Sequence, residues 1–255
     1  PGDRAGRQIL SPPGIEQAAA AAILLLAYFV RGISGFGSGL IAVPLLALLF
    51  PLTLVVPFML LMDLTASAIL GRATRHDVSW DELKPLLPGS VAGVILGATL
   101  LLSLAKEPLL TALGLFVLAF AVRSVLNLHG EKSISRVWAL PASLIGGTVS
   151  ALFGTGGPPY VIYLTHRIRD KAVFRATTSL LFLLEGGLRT VVFALAGLLL
   201  QPDLLLSFVA GLPVMGVGLW LGSRVHVGIS NEQMTRLIGV LLLVSGSGLL
   251  WKAWH

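Results

Sequence analysis

The sequence predicts an all-α polytopic membrane protein, built from two inverted-topology repeats of about five apolar segments each, with glycine-broken short helices near the midplane. Three observations predict it. Charge is scarce over almost the whole length, apolar stretches recur with only short interruptions, and one glycine-rich motif occurs twice.

The scarcity of charge comes first because it decides the solvent. Of 255 residues, 55% are hydrophobic and 12% are charged, with a mean hydropathy of +0.90. Soluble domains carry about 25% charged residues. A soluble chain of this length must cover its surface with polar groups, and a lipid bilayer is the solvent that suits a surface without them. The net charge of +6 and the pI near 10.2 do not indicate nucleic acid, because most Lys and Arg fall in short segments between apolar runs, where cytoplasmic loops carry them. The chain has no cysteine, which excludes a disulfide framework and a thiolate metal site. The histidines lack metal-ligand spacing, and no cofactor motif is present.

The apolar stretches run over approximately 15–33, 36–50, 53–71, 85–104, 108–128, 137–153, 155–165, 176–200, 203–223 and 233–252. A full span takes about 20 apolar residues, so 36–50 and 155–165 are short. Both follow a glycine-rich break, Gly35-Phe36-Gly37-Ser38-Gly39 and Gly154-Thr155-Gly156-Gly157-Pro158. Glycine and proline interrupt helices and free backbone groups. At membrane depth such groups persist only where protein or a water-lined cavity satisfies them. The short second member of each pair favours hairpins that enter from opposite sides and meet near the midplane, with full crossing as the alternative.

The repeat emerges from matching positions. Phe36-Gly37-Ser38-Gly39 matches Phe153-Gly154-Thr155-Gly156 at an offset of 117. Farther on, at an offset of 125, Pro88, Gly93, Gly97, Glu107 and Gly114 match Pro213, Gly218, Gly222, Glu232 and Gly239. The expected organisation is a polar tail at 1–14, repeat unit one at 15–128, a cytoplasmic linker at 129–136 and repeat unit two at 137–255. An odd number of segments per unit inverts the second unit relative to the first. Loop charge agrees. Phe50-Pro51-Leu52 is uncharged while its counterpart carries Arg167, Arg169, Lys171 and Arg175. The next loop carries Arg72, Arg75 and Lys84, and its counterpart Gln201-Pro202-Asp203 has no basic residue. With the basic loops in the cytoplasm, both termini lie outside.

The breaks are the first candidates for chemistry. A helix N-terminus presents unpaired N–H groups and partial positive charge, which together bind anions. Gly37 and Gly39 open one short helix and Gly156 and Gly157 the other, with hydroxyl donors at Ser34, Ser38 and Thr155. The candidate substrate-binding residues are therefore Arg31, Ser34, Gly35, Gly37, Ser38, Gly39, Gly154, Thr155, Gly156, Gly157 and Pro158. The competing explanation is close helix packing by small residues, which the Gly93/Gly97 and Gly218/Gly222 pairs exemplify. Charges inside apolar spans are costly and functional by default. Asp63, Glu185 and Arg189 are candidates for ion coupling or counter-ion duty. Asp63 and Glu185 are near equivalents at an offset of 122. Arg189 follows Glu185 by four positions, where the two can neutralise each other. Asp63 has no partner in its own segment, so it pairs with a distant arginine or exchanges a proton; in an importer it is the better proton carrier of the two acids, and in an exporter both acids serve as counter-ions for Arg31 or Arg189. Arg31 either attracts an anion or snorkels to an interface, and Arg123 snorkels. The five histidines, His76, His129, His166, His226 and His255, all lie in loops or at the terminus. No catalytic or metal constellation sits at membrane depth, and the expectation is a protein that is not an enzyme.

The stretch Arg31-Gly32-Ile33-Ser34-Gly35-Phe36-Gly37-Ser38-Gly39-Leu40-Ile41-Ala42-Val43-Pro44 resembles the first signature of the TauE/SafE sulfite exporter family. The stretch from Gly146 to Tyr160 resembles its second. The resemblance implies a secondary transporter for a small inorganic or organic anion, a sulfur-containing one such as sulfite, thiosulfate or an organosulfonate, working by alternating access in the bilayer, with protons as a further partner. The alternative from another class is a non-transporting membrane scaffold or assembly factor.

Overall fold

The structure, a computed structural model, describes residues 14–34, 37–70, 77–125, 134–155, 157–224 and 231–254. Among the sequence expectations, Gly35, Phe36 and Gly156 lie outside the described residues, as do the tail before Gly14, most of the 129–136 linker and the side chains of Ser34 and Arg123. The described chain is helical, with no strand among the described residues. Its helices are α1 (Ile15–Ser34), α2 (Ser38–Ala47), α3 (Leu52–Leu70), α4 (Trp80–Leu83), α5 (Leu87–Ser103), α6 (Lys106–Val125), α7 (Ala139–Phe153), α8 (Gly157–Arg167), α9 (Lys171–Leu195), α10 (Pro202–Arg224) and α11 (Asn231–Trp254). In hydrocarbon a backbone must satisfy its own polar groups, which leaves helix as the state open to these apolar runs.

Among the described residues, six helical stretches are long and apolar enough to cross a membrane: Ile15–Ile33, Leu52–Ile69, Trp80–Ser103, Arg136–Phe153, Ala172–Leu195 and Pro202–Arg224. The protein is thus a multi-pass, all-α membrane protein. Its surface is apolar in the way lipid requires: Val209 is 62% exposed, Val217 50% and Val244 66%. Exposed tryptophans stand at helix ends, Trp80 and Trp138 where spans begin and Trp251 and Trp254 where α11 finishes, positions suited to membrane–water interfaces.

Two boundaries differ from expectation for local reasons. The stretch expected at 176–200 forms a helix from Lys171, because the Asp170 side chain accepts hydrogen bonds from the N–H groups of Ala172 and Val173 at 2.8 and 2.9 Å. An N-cap of this kind outweighs the loop-like reading of Lys171 and Arg175. That helix stops at Leu195, because Gly197 takes a left-handed conformation at φ 74° that ends helices.

The largest helix pairings are α5 with α7, α6 with α11, and α1 with α10. Glycine makes all three possible. A Cβ on Gly97 would lie 2.8 Å from the Ala151 Cβ on α7, and a Cβ on Gly218 would lie 2.9 Å from the Leu25 carbonyl oxygen on α1. The Gly93/Gly97 and Gly218/Gly222 pairs are therefore packing seams, as small residues at close helix crossings usually are. The two seams are built alike. Gly93 faces the Leu144 carbonyl and Thr148 N–H, and Gly97 faces the Thr148 carbonyl; Gly218 faces the Leu25 carbonyl and Phe29 N–H, and Gly222 faces the Phe29 carbonyl. Each α7 group stands 119 positions after its α1 counterpart, as Leu144 does after Leu25 and Thr148 after Phe29.

Candidate functional site

Both short helices form where the glycine breaks are. α1 ends at Ser34 and α2 starts at Ser38, while α7 ends at Phe153 and α8 starts at Gly157. Each gap repeats after 119 positions, the same register as the seams, whereas the matching glycine strings repeat after 117. The string consequently does different work in the two places. Gly37 is the left-handed N-cap of α2 at φ 94°. Gly154 is the left-handed C-cap of α7 at φ 65°, its N–H bonded to the Ser150 carbonyl at 2.8 Å. A side chain with a Cβ is strained in this region, and glycine is not.

The two breaks touch. A Cβ on Gly39 would stand 2.8 Å from the Gly154 carbonyl oxygen, 3.5 Å from Thr155 Cγ2 and 3.6 Å from Asp63 Oδ2. A Cβ on Gly154 would stand 3.3 Å from Val43 in α2. The breaks, expected to meet near the midplane, are in direct backbone contact, with glycine at the point of closest approach. Gly157 and the buried Pro158 open α8.

A polar cluster surrounds the start of α2. Asp63, in the middle of α3, receives three hydrogen bonds on one carboxylate oxygen, Oδ1: from Tyr28 Oη at 2.8 Å, from Ser38 Oγ at 2.7 Å and from Arg31 Nη1 at 2.5 Å. Arg31 is 8% exposed. Its Nη1 also donates to Ser38 Oγ, and its Nη2 donates to Ser67 Oγ at 2.8 Å and to the Asp63 carbonyl at 3.2 Å. Arg31 therefore does not snorkel; it is the buried partner of Asp63. The pairing joins two residues 32 positions apart, one of the two alternatives that the isolation of Asp63 leaves open.

A second cluster lies behind the α8 break. Arg189 Nη1 donates to the Ser150 carbonyl at 2.7 Å, the same oxygen that accepts the Gly154 N–H. Its Nε is 3.8 Å from Glu185 Oε1, too far for a hydrogen bond. Both of those atoms are buried without a hydrogen-bond partner, as is Thr155 Oγ1 in the adjoining break. The i,i+4 pair is present, but its geometry is looser than that of the distant pair. Glu185 and Arg189 are the loosely matched pair, and Asp63 is tightly held.

The outer ends of the short helices are tied down by groups that sequence reasoning did not single out. Glu82, 6% exposed on α4, accepts from Arg167 Nε and Nη2 at 3.0 and 2.7 Å, from Arg136 Nε at 3.2 Å and from Tyr163 Oη at 2.9 Å. This clamp holds the last turn of α8. The last turn of α2 is capped by Lys252 of α11, whose Nζ donates to the Leu48 and Ala47 carbonyls at 2.6 and 3.2 Å, where a cation also meets the negative end of the helix dipole. Tyr28 and Ser67 carried one usable signal: they stand three residues before Arg31 and four after Asp63, on the same helical faces.

Paired broken helices in contact near buried arginines, inside a multi-pass apolar bundle, are the features of a membrane transporter. The sequence matches the Sulfite exporter TauE/SafE family over residues 20–249, and the chain belongs to that family. It is similar to the "Probable inner membrane transporter protein TsaS" of Comamonas testosteroni, 28% identical over 199 residues that cover 77% of this chain and 82% of the relative. No solved structure matches the chain.

Proposed function

We propose that the protein is a secondary transporter that moves a small sulfur-containing oxyanion, such as sulfite, thiosulfate or an organosulfonate, across an inner membrane by alternating access. The family and the TsaS relative support the class and the membrane. The observation that carries the anion reading is Arg31, a guanidinium buried beside the first turn of a broken helix and already engaged with an oxyanion, the carboxylate of Asp63. The binding residues on this reading are Arg31 and Ser38 with the backbone at Gly37 and Gly39 from one break, and Gly154, Thr155, Gly157 and Pro158 from the other. The two like-built seams support two units related by inversion, which is the architecture that rocks about a fixed central site. No covalent step is involved.

The test is flux into proteoliposomes across a panel of sulfur oxyanions, with chloride and a cation as controls. The expected result is saturable flux of at least one sulfur oxyanion that Arg31→Gln removes. Folded, correctly inserted protein that carries none of the panel would overturn the reading and favour a scaffold or assembly role.

A further inference from the structure

Three donors converging on a single carboxylate oxygen is an unusual concentration of hydrogen-bonding capacity for a simple ion pair. Tyr28, Arg31 and Ser38 come from α1 and the first turn of α2, and all reach Asp63 Oδ1. Arg31 and Ser38 are 8% and 1% exposed, so the donors are fixed and dry. Asp63 is less enclosed, its side chain 20% exposed, and it comes from a different helix, α3. Its other oxygen lies toward Gly39, at the contact between the two breaks. The donors thus form a buried cradle for one oxygen of an oxyanion, and the carboxylate in that cradle is less buried than the donors Arg31 and Ser38.

We propose that Asp63 is a tethered stand-in for the transported anion. Its carboxylate fills the Tyr28–Arg31–Ser38 cradle in this conformation, and an incoming sulfonate or sulfite oxygen displaces it. The inference rests on the transport reading above and names the step by which the site is filled and emptied. Charged hydrogen bonds to an anion are strong, and a cradle left empty in a dry interior would hold its substrate too tightly to release it. A competing carboxylate on the protein lowers apparent affinity by the fraction of time the cradle is occupied and refills it as the substrate leaves. A carboxylate serves because its oxygens accept hydrogen bonds as those of a sulfonate do. Arg31 stays compensated throughout, first by Asp63 and then by substrate, which avoids the cost of an unpaired buried charge.

The experiment measures binding and flux separately on purified protein in detergent and in proteoliposomes, with sulfite and methanesulfonate as probes and formate as a small free carboxylate. Asp63→Ala removes the stand-in. The expected result is binding tighter by about tenfold or more, in line with release of the competing fraction, seen as a larger ligand-induced rise in melting temperature than in wild type. Flux by the same variant falls close to background. Formate should bind Asp63→Ala and compete with sulfite there, and Tyr28→Phe should weaken binding in both backgrounds. Asp63→Asn, which keeps the shape and one acceptor oxygen, gives an intermediate affinity and guards against misfolding of the alanine variant. If wild type binds and carries the probe while Asp63→Ala and Asp63→Asn bind it no better than wild type, the stand-in role is overturned and the transport reading stands. If wild-type protein neither binds nor carries any member of the sulfur-oxyanion panel, the transport reading itself fails and this inference with it.

Discussion

The two arginine clusters use the same three positions with their residues exchanged. In the first half Arg31 is on α1, Asp63 is on α3, and Ser67 follows one turn later. In the second half Ser150 is on α7, Glu185 is on α9, and Arg189 follows one turn later. Ser150 stands 119 positions after Arg31, and Glu185 and Arg189 stand 122 after Asp63 and Ser67. At these three positions each half therefore holds one carboxylate, one guanidinium and one serine, and the first cluster adds Tyr28 and Ser38. Placing the arginine on the broken-helix side puts it within reach of Ser38 and the start of α2, where three donors meet one carboxylate oxygen and Arg31 Nε is left without a partner. Placing it on the long helix, four positions after the acid, leaves Nε and Oε1 without partners and turns the guanidinium toward the α7 carbonyls. The two clusters are thus unequally satisfied: in the first, three donors meet the carboxylate and Arg31 Nε lacks a partner, whereas in the second both the guanidinium Nε and the carboxylate Oε1 lack one.

The largest effect should come from cutting each arginine. Removing one partner of a buried ion pair costs about 3–5 kcal/mol, because the survivor is left uncompensated. Arg31→Ala is expected to reduce the folded yield and thermal stability severely, whereas Arg189→Ala, which loses a looser ion pair at 3.8 Å and one hydrogen bond to the Ser150 carbonyl, should cost less. The double variant Arg31→Ser/Ser67→Arg gives the first half the layout of the second and should recover much of what Arg31→Ser loses. Thermal unfolding in detergent ranks the set. Equal losses for the two arginines, or no recovery in the exchanged variant, would mean that the positional equivalence has no energetic content.

The glycines sharpen the same comparison at lower cost. A methyl on Gly39 would meet backbone, the Gly154 carbonyl oxygen at 2.8 Å, which cannot step aside. A methyl on Gly157 would meet Phe182 at 3.5 Å, an ordinary contact. Overpacking of a tight site costs about 1–3 kcal/mol. Gly39→Ala is therefore expected to lower flux strongly while the protein still inserts, and Gly157→Ala to stay near wild type. Similar flux from both variants would show that the crossing of the breaks does not depend on close approach.

Much of this was legible in the chain, and the reasons differ by feature. Hydropathy located the helices because lipid leaves no other choice, and glycine located the breaks because a left-handed turn was needed at Gly37 and Gly154. The two-residue slip between the glycine strings and the helix gaps was hidden, since identity of sequence carries no information about which side of a break a residue serves. The Asp63–Arg31 pair was present only as one of two alternatives, because periodicity shows which face a residue occupies and not which helix lies opposite. The Glu82 clamp gave no signal at all. Its arginines are 54 and 85 positions away, and Glu82 reads locally as one more charge in a charged loop. The start of α9 was misread because Lys171 and Arg175 weighed more than the single cap at Asp170.

The smallest expected effect concerns protons, and it tests whether the difference between the carboxylates matters for coupling. Asp63 Oδ1 is surrounded by donors, so a hydrogen on that oxygen would have to displace one of them. Glu185 Oε1 has no donor, and its guanidinium neighbour stands 3.8 Å off, so this oxygen has room to carry its own hydrogen. The groups around it are Arg189 on its own helix, Ser150 on α7 and Tyr160 on α8. Glu185 is accordingly a second candidate proton carrier beside Asp63, whose other oxygen, Oδ2, lies toward Gly39. Export of an anion from a negative-inside cell is already driven by about 2.3 kcal/mol per charge per 100 mV, so any proton dependence should be a modest modulation of rate. In proteoliposomes with an imposed pH gradient, Glu185→Gln is expected to carry anion at a rate indifferent to the gradient, while Asp63→Asn, slower throughout, keeps the wild-type response. A response retained by Glu185→Gln and lost in Asp63→Asn would return the proton to Asp63 and make the gap between Glu185 and Arg189 a packing feature only.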